Sequence, residues 1–469
     1  MRRPPPRRLT AALLALPLTI LLLGSAGCTV DEEDEDRAAE PAPAPESAAG
    51  PPMRASVPAD GYRAVDWEQV DRERLDSAWR TAADADRGSR GAAAGTTSAT
   101  AGSDAAPVER LRSRAGETSP SGSAGGDPAA TGSGGSDSWE DIGPDAFESF
   151  QPVLPVPREG GGPTVLALQW MLDRVRFSPG VIDGRWGKNT EKAVYWLQDA
   201  LGEEPTGEVD RALWDRLVAE TGSSPVRRHP VTAQDVEGPF RQIPEEPTEQ
   251  ADLDCLCHES AAEALAERFH TTPELLAQLN PQADLDQLSA GITLTVPAVD
   301  EIRQNPSAAD RVARIRVSKD GFYLQALDES GNVLYHFPTT VGADYDPSPS
   351  GDFRVTGIAF DPDFHYQPEL FADVPDSDED ALLPPGPNSP EGLVWMQLSK
   401  ENYGIHGTSE PATIGYTTSH GCVRLTNWDA VFLANRTARG TPVEFTGGSG
   451  GSSGAEASAA ASSAAGGAE

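Results

Sequence analysis

The chain has 469 residues, more than one compact core usually takes in, so two or more domains are expected. Acidic residues outnumber basic ones 73 to 37 and leave a formal charge of −36, which argues against a nucleic-acid partner and for a self-repelling surface. With 4 cysteines (Cys28, Cys255, Cys257 and Cys422), a disulfide-rich scaffold is excluded.

Arg2, Arg3, Arg7 and Arg8 precede an apolar run from Leu9 to Leu23, which closes on Gly24-Ser25-Ala26-Gly27-Cys28. A charged start, an apolar run and a small-residue end are the parts of an export signal. The run of about 15 residues is short for the roughly 20 that a retained membrane-spanning helix needs. Ala26-Gly27-Cys28 resembles the lipobox of bacterial lipoproteins, with Ser25 where Leu is usual. That resemblance implies a signal peptide over 1–27, a lipid anchor on Cys28 and a membrane-held protein on the periplasmic side of the cell envelope.

Residues 28–151 open with an acidic run from Asp31 to Asp36 and continue through Pro/Ala and Ser/Gly/Thr stretches. Such a segment cannot bury a core and is expected to be a disordered tether, with a root-mean-square span of roughly 60 Å. Within it, Val65, Trp67, Val70, Leu75 and Trp79 suggest a transient helix or small docking element between Gly61 and Arg80.

Residues 152–220 form the first folded module. Leu166, Leu168, Trp170, Met171, Leu172 and Val175 give one helical face, Thr190 to Leu201 a second helix closed by Gly202, and Gly207-Glu208-Val209-Asp210 introduces a third. The loop Ile182-Asp183-Gly184-Arg185-Trp186-Gly187, with Thr190, Ala193 and Val194, resembles the repeat of the three-helix peptidoglycan-binding domain. A helical spacer without a ligand is the alternative.

A Pro/Glu-rich linker is expected over 221–250. In 251–299, two short helical stretches (Ser260 to His270 and Leu275 to Leu279), Asn280-Pro281 and an apolar strand ending at Pro297 resemble a small α+β LysM module, though its opening strand is not evident. Glycan contact is implied by that resemblance, and a packing module for the catalytic domain is the alternative. Cys255-Leu256-Cys257-His258 lacks the two-to-four-residue ligand spacing of zinc ribbons; a bridge between the two cysteines in an oxidising compartment stays open.

Strand patterning begins near Val312 and fills a domain expected over 306–446. Ile315 and Val317 alternate with Arg314 and Arg316, and turns at Lys319-Asp320-Gly321 and Ser330-Gly331-Asn332 make a β-meander through Val341. Residues 361–392 are Pro- and Asp-rich without a period, as for a long loop or cap. Val394 to Leu398 resumes a strand, Trp428 to Asn435 reads as a short helix, and the Gly/Ser/Ala tail over 447–469 is expected to be disordered.

The chemistry concentrates between Tyr403 and Asp429. A thiol with an ordinary pKa of roughly 8.5 is mostly protonated near neutrality, so a nucleophilic Cys422 needs a base. His420 lies two residues before it, on the same face if the backbone is extended, and His406 comes from an upstream loop. These residues alone do not choose between them. Gly421 removes bulk beside the thiol, so that the N–H groups of Gly421 and Cys422 can approach a developing oxyanion. His406, His420 and Cys422 lack an obvious fourth zinc ligand, and no cofactor is expected.

His406-Gly407-Thr408, Ile414-Gly415 and Ser419-His420-Gly421-Cys422-Val423-Arg424-Leu425 resemble the signature of the YkuD-type L,D-transpeptidases of the bacterial cell wall, the ErfK/YbiS/YcfS/YnhG family. The match extends from Thr340-Val341-Gly342 and Pro349 to Phe353, through Pro384 to Asn388, to Asn427-Trp428-Asp429 and Gly440 to Val443, over about 140 residues. It implies a β-sandwich catalytic domain, so the whole chain is expected to be multidomain: tether, three-helix domain, LysM-like module, then the sandwich. It also implies a cysteine that attacks the amide after the diamino acid of a stem tetrapeptide, releases D-alanine and passes the acyl group to a second stem's amine. Cys422 would be the nucleophile and His406 the base, with the Gly407 carbonyl orienting it and Gly421 in the oxyanion hole. Ser419, His420 and Arg424 would contact substrate. Some members carry Asn in place of Arg424, which either meets a stem carboxylate or braces the loop. The implied partners are peptidoglycan stem peptides and glycan, and the membrane through the anchor; no protein partner is legible. An L,D-carboxypeptidase and a non-catalytic wall-tethering lipoprotein are the rival readings.

Overall fold

The computed structural model describes residues 78–89, 106–117, 147, 150–300, 311–371 and 379–447. The signal peptide, Cys28, most of the tether and the tail from residue 448 lie outside the described residues. None of the described helices is long and apolar enough to cross a membrane.

Two helices stand within the span expected to be a disordered tether: α1 (Ala78–Ser89) and α2 (Pro107–Glu117). Most of the stretch Gly61 to Arg80 lies outside the described residues, and α1 takes up only its end. Val108 and Leu111 of α2 are buried, and Arg110 and Arg114 both reach Glu220, at 2.7 and 2.8 Å. Tyr195 donates to Asp84 at 2.6 Å. Such short amphipathic pieces vanish when composition is averaged over the Ala/Gly/Ser-rich sequence around them.

The three-helix module comprises α3 (Pro163–Arg174), α4 (Lys188–Leu201) and α5 (Arg211–Thr221). Pro163 occupies the first turn of α3, where its missing N–H leaves no helical bond unmade. Gly202 ends α4 in the left-handed region at φ 76°, and Asp210 caps α5 by accepting from the Leu213 N–H at 2.9 Å.

The expected linker is structured too. It contains β1 (Val226–Pro230), α6 (Ala233–Glu237) and α7 (Pro247–Gln250). After α8 (Ala261–Arg268) and α9 (Pro273–Leu279), β2 (Thr293–Pro297) returns to pair antiparallel with β1, Val226 opposite Pro297. The sequence hid β1 because Val226-Arg227-Arg228-His229-Pro230 has no apolar alternation; its partner lies far along the chain. Asn280 fixes the helix-to-strand return, donating to the carbonyls of Leu276 and Thr295 at 2.8 Å each and accepting from the Thr295 N–H at 2.7 Å.

The remaining strands are β3 (Arg314–Ser318), β4 (Tyr323–Leu327), β5 (Val333–Pro338), β6 (Val341–Gly342), β7 (Gly351–Phe360), β8 (Phe364–Tyr366), β9 (Ala381–Leu383), β10 (Val394–Leu398), β11 (Gly404–His406), β12 (Thr418–Ser419), β13 (Val423–Arg424) and β14 (Pro442–Thr446), with α10 (Asn427–Ala434) before the last. In place of the expected β-sandwich, 8 of these strands form a curled mixed sheet in the order β13-β11-β10-β7-β14-β3-β4-β5, and β6 pairs separately with β12. The cause is the 10-residue β7, whose first part pairs with β14 and whose second part pairs with β10, so one strand serves both halves. The Pro- and Asp-rich span carries a β8–β9 hairpin. Cys255 and Cys257 form a disulfide, and Leu256 between them packs with Phe364, Tyr366, Phe371 and Leu383 on this hairpin.

One apolar core runs through the helical modules and the sheet. Lys192 of α4 is buried at this junction, its Nζ donating to the Phe322 carbonyl at 3.0 Å. Burial, then the neighbouring Lys188, lowers its pKa to about 7, and His336 beside it is pushed well below the ordinary histidine value by burial and by Lys192. Because the folded pKa lies below the ordinary 10.5, the unfolded chain binds more protons between the two values, so stability rises with pH over that range. Calorimetry between about pH 7 and about pH 9 should show Tm rising in the parent and a flatter profile in Lys192→Met. Equal slopes would contradict this reading of Lys192.

Candidate active site

Cys422 sits in a bend between β12 and β13 and is fully buried. The bend corrects the extended geometry considered for His420 and Cys422. Gly421 between them has φ 99°, a left-handed conformation that side chains disfavour, and a Cβ there would lie 2.8 Å from Cε1 of Tyr403. The turn sends His420 into an aromatic setting, edge-on to Phe371 at 5.3 Å and to the exposed Tyr345 at 6.0 Å between ring centroids.

Polar groups hold the turn from below. Ser348 Oγ donates to the Gly421 carbonyl at 2.8 Å and accepts from the Gly342 N–H at 2.8 Å. Ser419, considered as a substrate contact, is buried and donates to the carbonyl of Cys422 at 2.5 Å. The Cys422 thiol lies 3.8 Å from the carbonyl of Asn402.

His406 reaches this segment through strand pairing. β11 and β13 run parallel, with Ile405 opposite Val423 and His406 opposite Arg424, which brings the chain leaving Cys422 alongside His406. The His406 Nδ1 lies 2.7 Å from the Gly407 carbonyl. A carbonyl only accepts, so Nδ1 carries the proton and Nε2 is the lone-pair nitrogen. Nε2 is buried and has no hydrogen-bond partner among the described residues. Burial, then the positive charge of Arg424, lowers the His406 pKa to about 3, with the Gly407 carbonyl pulling the other way. Trp395 stacks on the ring at 5.5 Å, and Gly404 gives the indole room, since a Cβ there would lie 2.5 Å from it.

Arg424 is only 5% exposed, and its charge is felt by the carboxyl groups of Glu391 and Glu410. Burial raises the pKa of Glu391 well above the ordinary value and that of Glu410 to about 7, while Arg424 opposes both shifts. Arg424 is also fixed through its backbone, exchanging hydrogen bonds with Thr340 at 2.9 and 3.1 Å.

The structure thus brings Cys422, Gly421, Ser419, His406, Gly407 and Arg424 together, and turns His420 toward the aromatic rings. Residue reasoning gave no role to Ser348, Tyr403, Trp395, Glu391 or Asn427. Asn427 had a signal in Asn427-Trp428-Asp429; Ser348 and Glu391 had none short of the fold. No group of three or more His, Cys, Asp or Glu side chains is placed to hold a metal among the described residues.

The turn at Gly421 sets the direction of the thiol, so Gly421→Ala should cost about 1–3 kcal/mol in stability and reduce turnover by more than the fraction unfolded explains. Thermal melts and kcat measured on the same preparation check this. Unchanged turnover would show that the turn's conformation does not matter.

Residues 312–445 match the family model described as YkuD, L,D-transpeptidase catalytic domain, and residues 161–217 match "Putative peptidoglycan binding domain". The "Putative L,D-transpeptidase YkuD" of Bacillus licheniformis is 32% identical over 184 residues, which are 39% of this chain and 92% of that protein. The "Probable L,D-transpeptidase YbiS" of Escherichia coli is 45% identical over 65 residues, 14% of this chain and 21% of the relative. A solved L,D-transpeptidase fragment from Xylanimonas cellulosilytica is 18% identical, with a TM-score of 0.27 over 63% of this chain and 100% of that one, a similarity too low to bear on function. The Bacillus licheniformis relative is matched along nearly its whole length at 32% identity, and on that ground this chain belongs to the YkuD family of L,D-transpeptidases.

Proposed function

We propose that the protein crosslinks or otherwise modifies peptidoglycan through a thioester formed on Cys422. The observation that carries this reading is the state of His406: Nδ1–H held by the Gly407 carbonyl, and a buried Nε2 without a hydrogen-bond partner on the strand beside the Cys422 segment. His406 Nε2 takes the thiol proton, and the thiolate attacks the amide carbon that follows the diamino acid of a stem tetrapeptide. The N–H groups of Gly421 and Cys422 meet the oxyanion. The C–N bond then breaks as His406 returns the proton to the departing D-alanine nitrogen. A second stem's amine attacks the thioester, gives its proton to His406 and releases the thiolate.

A base as depressed as His406 takes a proton only together with formation of the thiolate, because imidazolium and thiolate stabilise each other in a dry site. Arg424, set among Glu391 and Glu410, braces the loop in this reading and leaves the substrate carboxylate to other groups. His420 contacts the stem peptide beside Tyr345. Ser419 acts through the carbonyl of Cys422.

The proposed organisation is a signal peptide over 1–27, a lipid anchor on Cys28 with a tether to 151, a wall-binding module over 152–220, and a catalytic domain over 306–446 on the periplasmic side of the envelope. The antiparallel pairing of β1 with β2, with α8 and α9 between them after the short α6 and α7, supports a LysM-like module that begins at Val226, within the expected linker.

Incubation with tetrapeptide muropeptides should yield crosslinked dimers and free D-alanine; tripeptides without dimers would favour the L,D-carboxypeptidase. Cys422→Ala should abolish dimers, and His406→Ala should slow their formation by about 10²–10⁴-fold. Dimers formed at the parent rate by either variant would overturn the assignment. Cys28→Ser should move the protein from the membrane to the soluble envelope fraction, and its retention on the membrane would remove the anchor.

A further inference from the structure

The turn that joins β10 to β11, from Ser399 to Tyr403, flanks the nucleophile. Its backbone is held at several points. The Leu398 N–H donates to the Tyr403 carbonyl at 2.9 Å, the Ser399 N–H to the Arg354 carbonyl at 2.8 Å, and the Tyr403 N–H to the Lys400 carbonyl at 3.4 Å. Asn402, at φ 62°, takes the left-handed conformation that asparagine tolerates, and its carbonyl lies 3.8 Å from the Cys422 thiol. The edge of the buried Tyr403 ring occupies the space that the missing Cβ of Gly421 leaves. Over the same ring stands the ammonium of Lys400, with Nζ 4.1 Å from the ring centroid. One aromatic ring thus touches both the glycine beside the thiol and a cation.

Lys400 is exposed and forms no ion pair among the described residues. A lysine side chain ordinarily loses much rotamer freedom when it grips a ligand; the electron-rich face of Tyr403 already holds this one, so less is lost on binding. The ring takes one side of the ammonium and leaves donors on the other side for an anion. In a chain of formal charge −36, an unpaired cation beside the nucleophile points to an anionic part of the substrate. Arg424, the other cation near Cys422, is only 5% exposed and acts on Glu391 and Glu410.

We propose that Lys400 determines donor specificity by binding the C-terminal carboxylate of the stem's D-alanine. The inference rests on the proposed attack of Cys422 at the amide that precedes D-alanine, and names the group that reads the donor's end. That carboxylate carbon is separated from the attacked carbon by the C–N, N–Cα and Cα–C bonds, a span of less than about 4 Å. A donor seated with its carbonyl at the N–H groups of Gly421 and Cys422 therefore carries the carboxylate along the flank that Tyr403 and Lys400 form. The carboxylate is charged before and during cleavage of the C–N bond, so the contact acts in binding the donor and leaves the bond-making to Cys422 and His406.

The test gives the full chain two donors, a tetrapeptide ending in D-alanine and the same peptide ending in D-alaninamide, and compares kcat/KM for release of the last residue. The parent should favour the acid by about fivefold or more, and added salt should reduce that ratio. Lys400→Met keeps an apolar side chain over Tyr403 and removes the charge, so its ratio should fall to about one; Lys400→Arg should retain most of the preference. No preference in the parent, or a ratio in Lys400→Met equal to the parent's, would overturn the assignment. A merely structural role for Lys400 gives that second result, because it lowers both rates alike. Calorimetric titration of the two peptides into Cys422→Ala protein, with and without Lys400→Met, reads the contact without turnover. Acid-over-amide binding that depends on Lys400, in a parent that releases the last residue of neither donor, would uphold the contact and remove the transpeptidase reading. Release from both donors at equal kcat/KM would remove the contact and leave that reading standing.

Discussion

The side-chain amide of Asn427 is the joint on which the catalytic architecture depends. Its Oδ1 accepts from the backbone N–H groups of Leu393 and Thr408 at 3.1 Å each, and its Nδ2 donates to the Pro387 carbonyl at 3.1 Å and the Glu267 carboxylate at 3.0 Å. The residue is fully buried, and its hydrogen-bonding capacity is used in full. Gly392 and Gly407 are glycines where a Cβ would collide with that same oxygen. One amide thus fixes the loop after His406, the loop before β10 and helix α8 of the neighbouring module. Each buried group left unsatisfied by its loss would cost about 1–3 kcal/mol, so the module and the loop that follows His406 are energetically coupled.

A second knot ties all three folded parts together. Ser178, just past α3, donates to Asp429 of α10 at 2.7 Å; His270, after α8, pairs with Asp173 of α3 at 2.9 Å and stacks on Trp428 at 4.9 Å. Burial raises the Asp429 pKa to about 7, with Asp173 adding to the shift and Ser178 and His270 opposing it. The three-helix module and the β1–β2 module are therefore built into the catalytic domain's core, unlike modules strung on flexible linkers.

Local signals in the sequence were strong where the controlling interactions were local. The helix stops and starts at Gly202, Asp210, Ser260 and Thr426 follow from capping chemistry, and β3 to β5 follow from alternation and turn residues. Long-range choices were hidden. The continuous sheet depends on β7 serving two partners, β1 exists only through pairing with β2, and α1 and α2 exist through contacts with distant helices. Spacing could not show how the two histidines are placed, because His420 is directed by the positive φ at Gly421 and His406 by the parallel register of β11 with β13. Arg424 could be read as meeting a carboxylate or as bracing the loop, and the groups its charge acts on include Glu391 and Glu410, which come from other loops.

The central claim is that Cys422 carries the acyl group, and trapping the intermediate tests it most directly. The full chain would be mixed with a tetrapeptide donor without an acceptor amine, quenched in acid on the timescale of a single turnover, and digested for mass spectrometry. The account predicts the mass of the acyl tripeptide on the peptide containing Cys422, with equimolar D-alanine released. The same mass on another residue, or D-alanine released in a burst by a Cys422→Ala protein, would contradict it.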